Sequence, residues 1–342
     1  MNALLELLRD HVRQSDLPSG VAIDNLSCVF LTPRFRTSSH IIIFVLDEKH
    51  RSPVLLAKVP RLPGDDGPLQ REARNLRCAQ DSREGGFRSI PRVVAFEENS
   101  SHRFLVESIV PGRPLRPDAI RLRPEDTIQK TIDWLFEFQS ASVADAQPLA
   151  TVFSGRIAEQ LAILDRFLPE SGEERAALET TREEIDILAK SGLCTVFEHG
   201  DYAPPNILVD SDGNIGIVDW ELAEPQGVPL TDVLFFLTSA AFARARAGNG
   251  QNRVLAFQNA FYGDDPWACK FVRRFCERFE IETELVRSLM VLCWARYAAN
   301  ILTRLHADLT PGSKEYEDTL RWFTQNPYCA IWCYASRNML VR

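Results

Sequence analysis

At 342 residues the chain is too long for one compact core and suits two lobes. Hydrophobic residues make up 45% and charged residues 25%, ordinary values for a globular protein. A formal net charge of -8 argues against a nucleic-acid binder, which normally carries a basic surface.

The first segment, MNALLELLRDHVRQ, sets Leu4, Leu5, Leu7, Leu8 and Val12 on one helical face. It carries Glu6 and Asp10 and has neither a basic start nor a small-residue cleavage site, so it does not read as a signal peptide. The apolar run Val233 to Ala243 is too short to span a bilayer and reads as a buried helix. A cytoplasmic protein without a membrane partner is expected. The eight cysteines form no CxxC pair and are joined by no histidine cluster, which suits packing thiols in a reducing compartment. Cys329 and Cys333 share a helical face without completing a ligand set.

The apolar, β-branched runs 27–31, 40–46 and 53–59 predict strands, followed by a helix at about 68–80 carrying Glu72. Strand-like runs return at 91–97 and 102–109. PGRPLRP (111–117) then breaks the pattern with three prolines and a glycine, as a connection between lobes does. Beyond it, helical periodicity covers 125–141, 155–167, 173–190, 230–246, 251–262, 266–279, 282–306 and 314–325, with one island of strand character at 206–218. The expected architecture is α+β in two lobes: residues 1–110 as a small antiparallel-sheet, nucleotide-binding lobe, and 111–342 as a large helical lobe with an embedded hairpin, for catalysis and substrate binding.

That island sits within EHGDYAPPNILVDSDGNIGIVDWE (198–221). NILV and NIGIV are short strands and DSDGN is the turn between them. A tight hairpin brings its ends together, so Asn206 at the start meets Asp219 just past the end, with Asp201 one loop away. Phosphoryl transfer needs such a set: oxygen ligands for Mg²⁺ on a triphosphate, and a carboxylate to orient the attacking hydroxyl and take its proton. From Ser191 to Ala243 the chain has no lysine or arginine but many acids, a charge void that a bound divalent cation relieves. The same void favours a neutral or cationic acceptor.

HGDYAPPN (199–206) followed by IVDWE (217–221) resembles the catalytic loop and metal-binding strand end of the aminoglycoside phosphotransferase and choline kinase superfamily. The resemblance implies a protein-kinase-like fold, with Asp201 as catalytic base, Asn206 and Asp219 as magnesium ligands, and His199 bracing the loop. In the kinase template a strand lysine holds the nucleotide phosphates and a helix glutamate orients it; Lys58 and Glu72 match in order and context. FLVESIVPGRPL (104–115) resembles the hinge, where the base pairs with main chain near Glu107 and Ile109. The turn TPRFRTSSH has no glycine, leaving Ser38 and Ser39, with Arg34 and Arg36, to meet the phosphates.

Asp232 arrives within thirteen residues of Asp219, too soon for the peptide platform of a protein kinase. Asp232 is expected to brace the catalytic loop. Trp220, Glu221, Glu224, Trp294 and Tyr297 are candidates to line an acceptor pocket, with helix-core packing the ordinary alternative for the aromatics. The implied activity is transfer of the γ-phosphate of ATP or GTP to a hydroxyl of an aminoglycoside, amino alcohol or sugar, with Mg²⁺ as cofactor. A catalytically silent nucleotide-binding protein of the same fold stands as the alternative.

Overall fold

A computed structural model describes residues 10, 12–31, 40–49, 51–62, 67–97, 103–142, 146–304 and 312–339. The first leucines of the amino-terminal segment and the turn bearing Arg34, Arg36, Ser38 and Ser39 lie outside the described residues.

The chain divides into two compact units, Met1–Pro114 with Asn206–Pro225, and Leu115–Pro205 with Gln226–Arg342. The first is built on an antiparallel sheet of β1 (Leu26–Leu31), β2 (His40–Asp47), β3 (Ser52–Pro60), β4 (Val93–Glu97) and β5 (Phe104–Ser108), in the order β1-β2-β3-β5-β4. Ile43, Val45, Val54, Leu55, Phe104 and Val106 join one core with Val12, Leu17, Val21 and Leu26. Leu105 faces the other way, onto Leu69 and Ala73 of helix α1 (Gly67–Asp81). Alternation along a strand explains the split: Leu105 and its two neighbours necessarily point to opposite faces.

The hairpin belongs to this same unit although it lies far along the chain. Strands β8 (Ile207–Val209) and β9 (Ile215–Ile217) pair antiparallel, and β6 (Arg113–Pro114) adds a third strand beside β8. Two glycines permit the close approach. A Cβ on Gly112 (φ +129°) would stand 2.9 Å from the Val209 backbone, and one on Gly216 would stand 2.3 Å from Val110. Ile217 N–H also donates to Ser89 O at 2.8 Å. The segment that the sequence suggests as a connection therefore doubles as a strand.

The second unit is helical. It contains α2 (Pro117–Leu122), α3 (Pro124–Ala141), α4 (Ala158–Phe167), α5 (Glu173–Lys190), the short strand β7 (Val196–Glu198), α6 (Thr231–Ala245), α7 (Gly250–Phe261), α8 (Trp267–Arg278), α9 (Val286–Arg304), α10 (Lys314–Thr324) and α11 (Pro327–Arg337). Helix α9 packs against α4, α5, α6 and α11 and buries Leu289 through Ala295 together with Ala298, Ala299 and Leu302. Residues 283–303 are long and apolar enough to cross a membrane by composition, a longer candidate than 233–243, yet they are largely buried as this core helix. Two helices go beyond the sequence periodicity. Helix α2 has only six residues, and α11 begins at Pro327 behind an Asn326 cap whose side chain accepts from Tyr328 N–H at 3.0 Å.

Candidate active site

In the first unit, strand register builds the charged centre. Lys58 on β3 stands opposite Leu105 of β5, and Leu56 opposite Glu107. Residues two apart on a strand share a face, so Lys58 and Glu107 both point to the side covered by α1, where Glu72 waits. Lys58 is only 4% exposed; its Nζ donates to Glu72 Oε1 at 2.5 Å and lies 3.3 Å from Glu107 Oε1. The second contact is in ion-pair range but is not aligned as a hydrogen bond.

The electrostatics follow from burial and crowding. Burial opposes the charge on Lys58, but Glu107, Glu72 and Asp219 outweigh it and raise the lysine's pKa. Burial raises Glu72 against the pull of Lys58. Glu107 is pushed up to about 8, first by burial and then by Glu72, with Lys58 opposing. His40, at the start of β2 and 3.9 Å from Glu221, is lowered to about 4 by burial and Lys58 against Asp219, and is neutral at physiological pH.

The hairpin delivers the remaining residues of this unit. Val218 N–H donates to Asn206 O at 3.0 Å, so Asn206 sits opposite the residue preceding Asp219. Asp210 caps the turn by accepting from the N–H groups of Asp212 and Asn214, which makes it a turn residue. Asp219 has φ +70°, a left-handed conformation uncommon for a residue with a side chain. The next residue, Trp220, donates its N–H to Glu72 Oε1 at 3.0 Å. Among the described residues, Asp219 Oδ1 is buried and accepts no hydrogen bond. Buried carboxylate oxygens are normally satisfied, and an orphaned one beside a second oxygen donor, Asn206, suits a hard cation such as magnesium.

In the second unit Asp201 follows Gly200 (φ +79°) on a loop fixed from several sides. Asp232, at the start of α6, accepts from His199 N–H at 2.8 Å and Gly200 N–H at 3.0 Å, and Gln139 donates to it at 3.3 Å. His199 is fully buried, and its Nδ1 accepts from Asp201 N–H at 3.3 Å. Tyr202 is buried with its hydroxyl on Thr131 O at 2.8 Å. Behind the loop, Glu198 Oε2 accepts from Val228 N–H at 2.9 Å and from Arg296 Nη1 at 2.8 Å. Burial and Glu198 push Asp232 up to about 8, with the His199 and Gly200 amides and Arg296 opposing.

Arg296 changes the meaning of the charge void. The segment has no basic residue of its own, but α9 brings one to Glu198 and Asp232 from a hundred residues away in sequence. Two of the segment's acids, Glu198 and Asp232, are thus accounted for within the fold. Trp220 and Trp294 are corrected as well: both are fully buried, with Nε1 on Ile217 O at 3.2 Å and Met290 Sδ at 3.1 Å, so they are core. Tyr297 stays partly exposed, its ring 4.6 Å from that of Tyr328 on α11, and Tyr328 feels the charge of Asp201. Tyr328, Arg296 and His40 are the residues the sequence reading misses. Of these, Tyr328 follows the Asn-Pro start of a helix and Arg296 stands in the apolar run VLCWARYAAN. Cys329 and Cys333 are joined by Glu174, one ligand atom of each lying within 4.8 Å of the others.

The model of the phosphotransferase enzyme family matches residues 42–270, which include Lys58, Asp201, Asn206, Asp219 and Asp232. A comparison with curated proteins gives no match. Among solved structures, a thermostable mutant of aminoglycoside phosphotransferase APH(4)-Ia, in ternary complex with ADP and hygromycin B, superposes with a TM-score of 0.56 at 14% identity, covering 98% of each chain. The Plasmodium vivax ethanolamine kinase gives 0.53 at 12% identity, over 98% of this chain and 87% of that one. A Thermobifida fusca protein provisionally named a fructosamine-3-kinase gives 0.56 at 14%, over 98% and 99%. At such identities the likeness is one of fold. With more than half its length matched by the family model, the chain belongs to the phosphotransferase enzyme family.

Proposed function

We propose that the protein is a small-molecule kinase that transfers the γ-phosphoryl group of ATP or GTP to a hydroxyl of a small acceptor. The observation that carries this reading is the orphaned Asp219 oxygen in a turn bonded to the same glutamate that holds Lys58. Complexes of fold neighbours with nucleotide and hygromycin B, and the ethanolamine kinase, set the range of acceptors considered.

In this reading Asn206 and Asp219 hold magnesium, which supplies neutralisation of the triphosphate charge. Lys58, oriented by Glu72, holds the α- and β-phosphates, Ser38 and Ser39 meet the phosphates from the preceding turn, and main chain at Glu107 and Ile109 pairs with the base. Asp201 orients the acceptor hydroxyl. Its oxygen bonds to the γ-phosphorus as the bond from that phosphorus to the bridging oxygen breaks; the diphosphate leaves with the electron pair and Asp201 takes the proton. Tyr297 and Tyr328 form part of the acceptor wall beside Asp201.

The test is a screen of hydroxylated amines, sugars and aminoglycosides for magnesium-dependent consumption of ATP or GTP, with Asp201→Asn as the control. We expect transfer to at least one class, and a fall in kcat of about a hundredfold in Asp201→Asn with nucleotide affinity unchanged. Magnesium-dependent nucleotide binding with no transfer in a broad screen would instead establish the silent binder.

A further inference from the structure

Asn75 lies one helical turn beyond Glu72 on α1 and is fully buried. Its Nδ2 donates to two main-chain carbonyls, Trp220 O at 3.0 Å and Ala223 O at 2.8 Å. One amide group therefore closes both ends of the turn after Asp219, a turn whose own bond runs from Ala223 N–H to Trp220 O at 3.2 Å. The Asn75 carbonyl oxygen has no partner among the described residues. Burying a half-satisfied amide is costly, and the neighbours on this helix, Leu69, Ala73 and Leu76, show that packing here is served by apolar side chains. What the amide holds must offset that cost.

It holds the backbone that leaves Asp219. The Trp220 N–H belongs to the peptide plane that follows Asp219, so its bond to Glu72 fixes the ψ of Asp219. The Trp220 carbonyl belongs to the next plane, which Asn75 fixes. A non-glycine residue at φ +70° persists only where its surroundings hold it, and Glu72 and Asn75 fix the two peptide planes that follow Asp219.

We propose that Asn75 is a positioning residue for magnesium, aiming the Asp219 carboxylate by clamping residues 220–223; the inference rests on the nucleotide-site reading above. Helix α1 thereby couples the lysine and the metal ligand through two side chains three residues apart. Supporting groups of this kind alter metal affinity by about ten- to a hundredfold when removed.

The experiment titrates Mg²⁺ by calorimetry into the full chain bound to a non-hydrolysable ATP analogue, comparing parent, Asn75→Ala and Asn75→Asp, with thermal midpoints taken alongside. Asn75→Asp keeps the shape but turns an oxygen toward the two carbonyls. Both variants are expected to need about tenfold more magnesium, while metal-free nucleotide affinity stays at the parent's value. If Asn75→Ala does not fold, Asn75→Ser, which keeps one donor, takes its place with a smaller expected shift. A folded variant with a lowered midpoint and the parent's magnesium affinity overturns the inference and leaves the nucleotide site standing. A parent whose nucleotide binding ignores magnesium overturns the nucleotide-site reading, and this inference with it.

Discussion

Each unit buries a group of carboxylates around a single cation, and the two groups are finished differently. In the second unit Glu198 and Asp232 share Arg296, and the three carboxylate oxygens described above accept from Val228, His199 and Gly200 N–H groups, from Gln139 and from the arginine. In the first unit Glu72, Glu107 and Asp219 share Lys58, and each of the three keeps one buried oxygen without a hydrogen bond among the described residues. A satisfied buried network is a brace. An unsatisfied one with excess negative charge is a site that a cation completes. In the proposed reading the same residue types serve structure in one place and binding in the other, and the count of accepted hydrogen bonds is what distinguishes them.

The sharpest way to break this comparison is to remove the charge from the carboxylate with the unsatisfied oxygen. Asp219→Asn suits the left-handed backbone better than alanine does, because asparagine tolerates that region. If Asp219 serves the metal, steady-state turnover falls by about a thousandfold, the order of effect that charge-neutralising groups have in phosphoryl transfer. The thermal midpoint, read by circular dichroism without metal, stays the same or rises, because a buried charge is gone. A large fall in midpoint with turnover intact would make the first cluster a brace as well.

The converse applies to the brace. Arg296→Met leaves Glu198 buried without its cation, and breaking a buried pair from one side costs about 3–5 kcal/mol. Denaturant unfolding checks it. Adding Glu198→Gln to Arg296→Met removes the stranded charge and is expected to recover much of the loss, as coupling between contacting residues requires. A double variant no better than the single one would mean that Arg296 acts through packing.

The sequence showed what was local. The strand runs and the helix around Glu72 carry their own periodicity, and Asn206 and Asp219 flank one hairpin with turn residues between its strands, with Asp201 five residues ahead of Asn206 in sequence. Lys58 was legible because a lysine inside an apolar strand needs a partner. Arg296 also sits in an apolar run, VLCWARYAAN, but its partner Glu198 is supplied only through tertiary packing of α9. For the same reason the void at 191–243 over-read its own acidity. Asn75 looks like any polar helix residue until the fold brings Trp220 and Ala223 over it. The tryptophans misled in the opposite direction, since an aromatic near a motif reads equally as lining or as core, and only burial decides.

The smallest expected effect sharpens the comparison within the first cluster, by asking which carboxylate is charged. Glu107 is pushed up to about 8, above the usual value of 4.5, chiefly by burial. The unfolded chain releases that proton first, so between about pH 4.5 and 8 the folded state binds more protons and stability falls as pH rises. Glu107→Gln stays neutral throughout and has nearly the same shape, and any base pairing by the main chain at this position is left in place. The variant therefore lacks this part of the pH slope. In metal-free thermal melts the two proteins should lie closest near pH 5, with the variant gaining on the parent up to pH 8 and holding that gain beyond it. Parallel curves across the range would mean that Glu107 is ionised throughout, its charge carried by Lys58. The lysine would then be shared among three full charges, and the first cluster would be still more in need of a divalent cation.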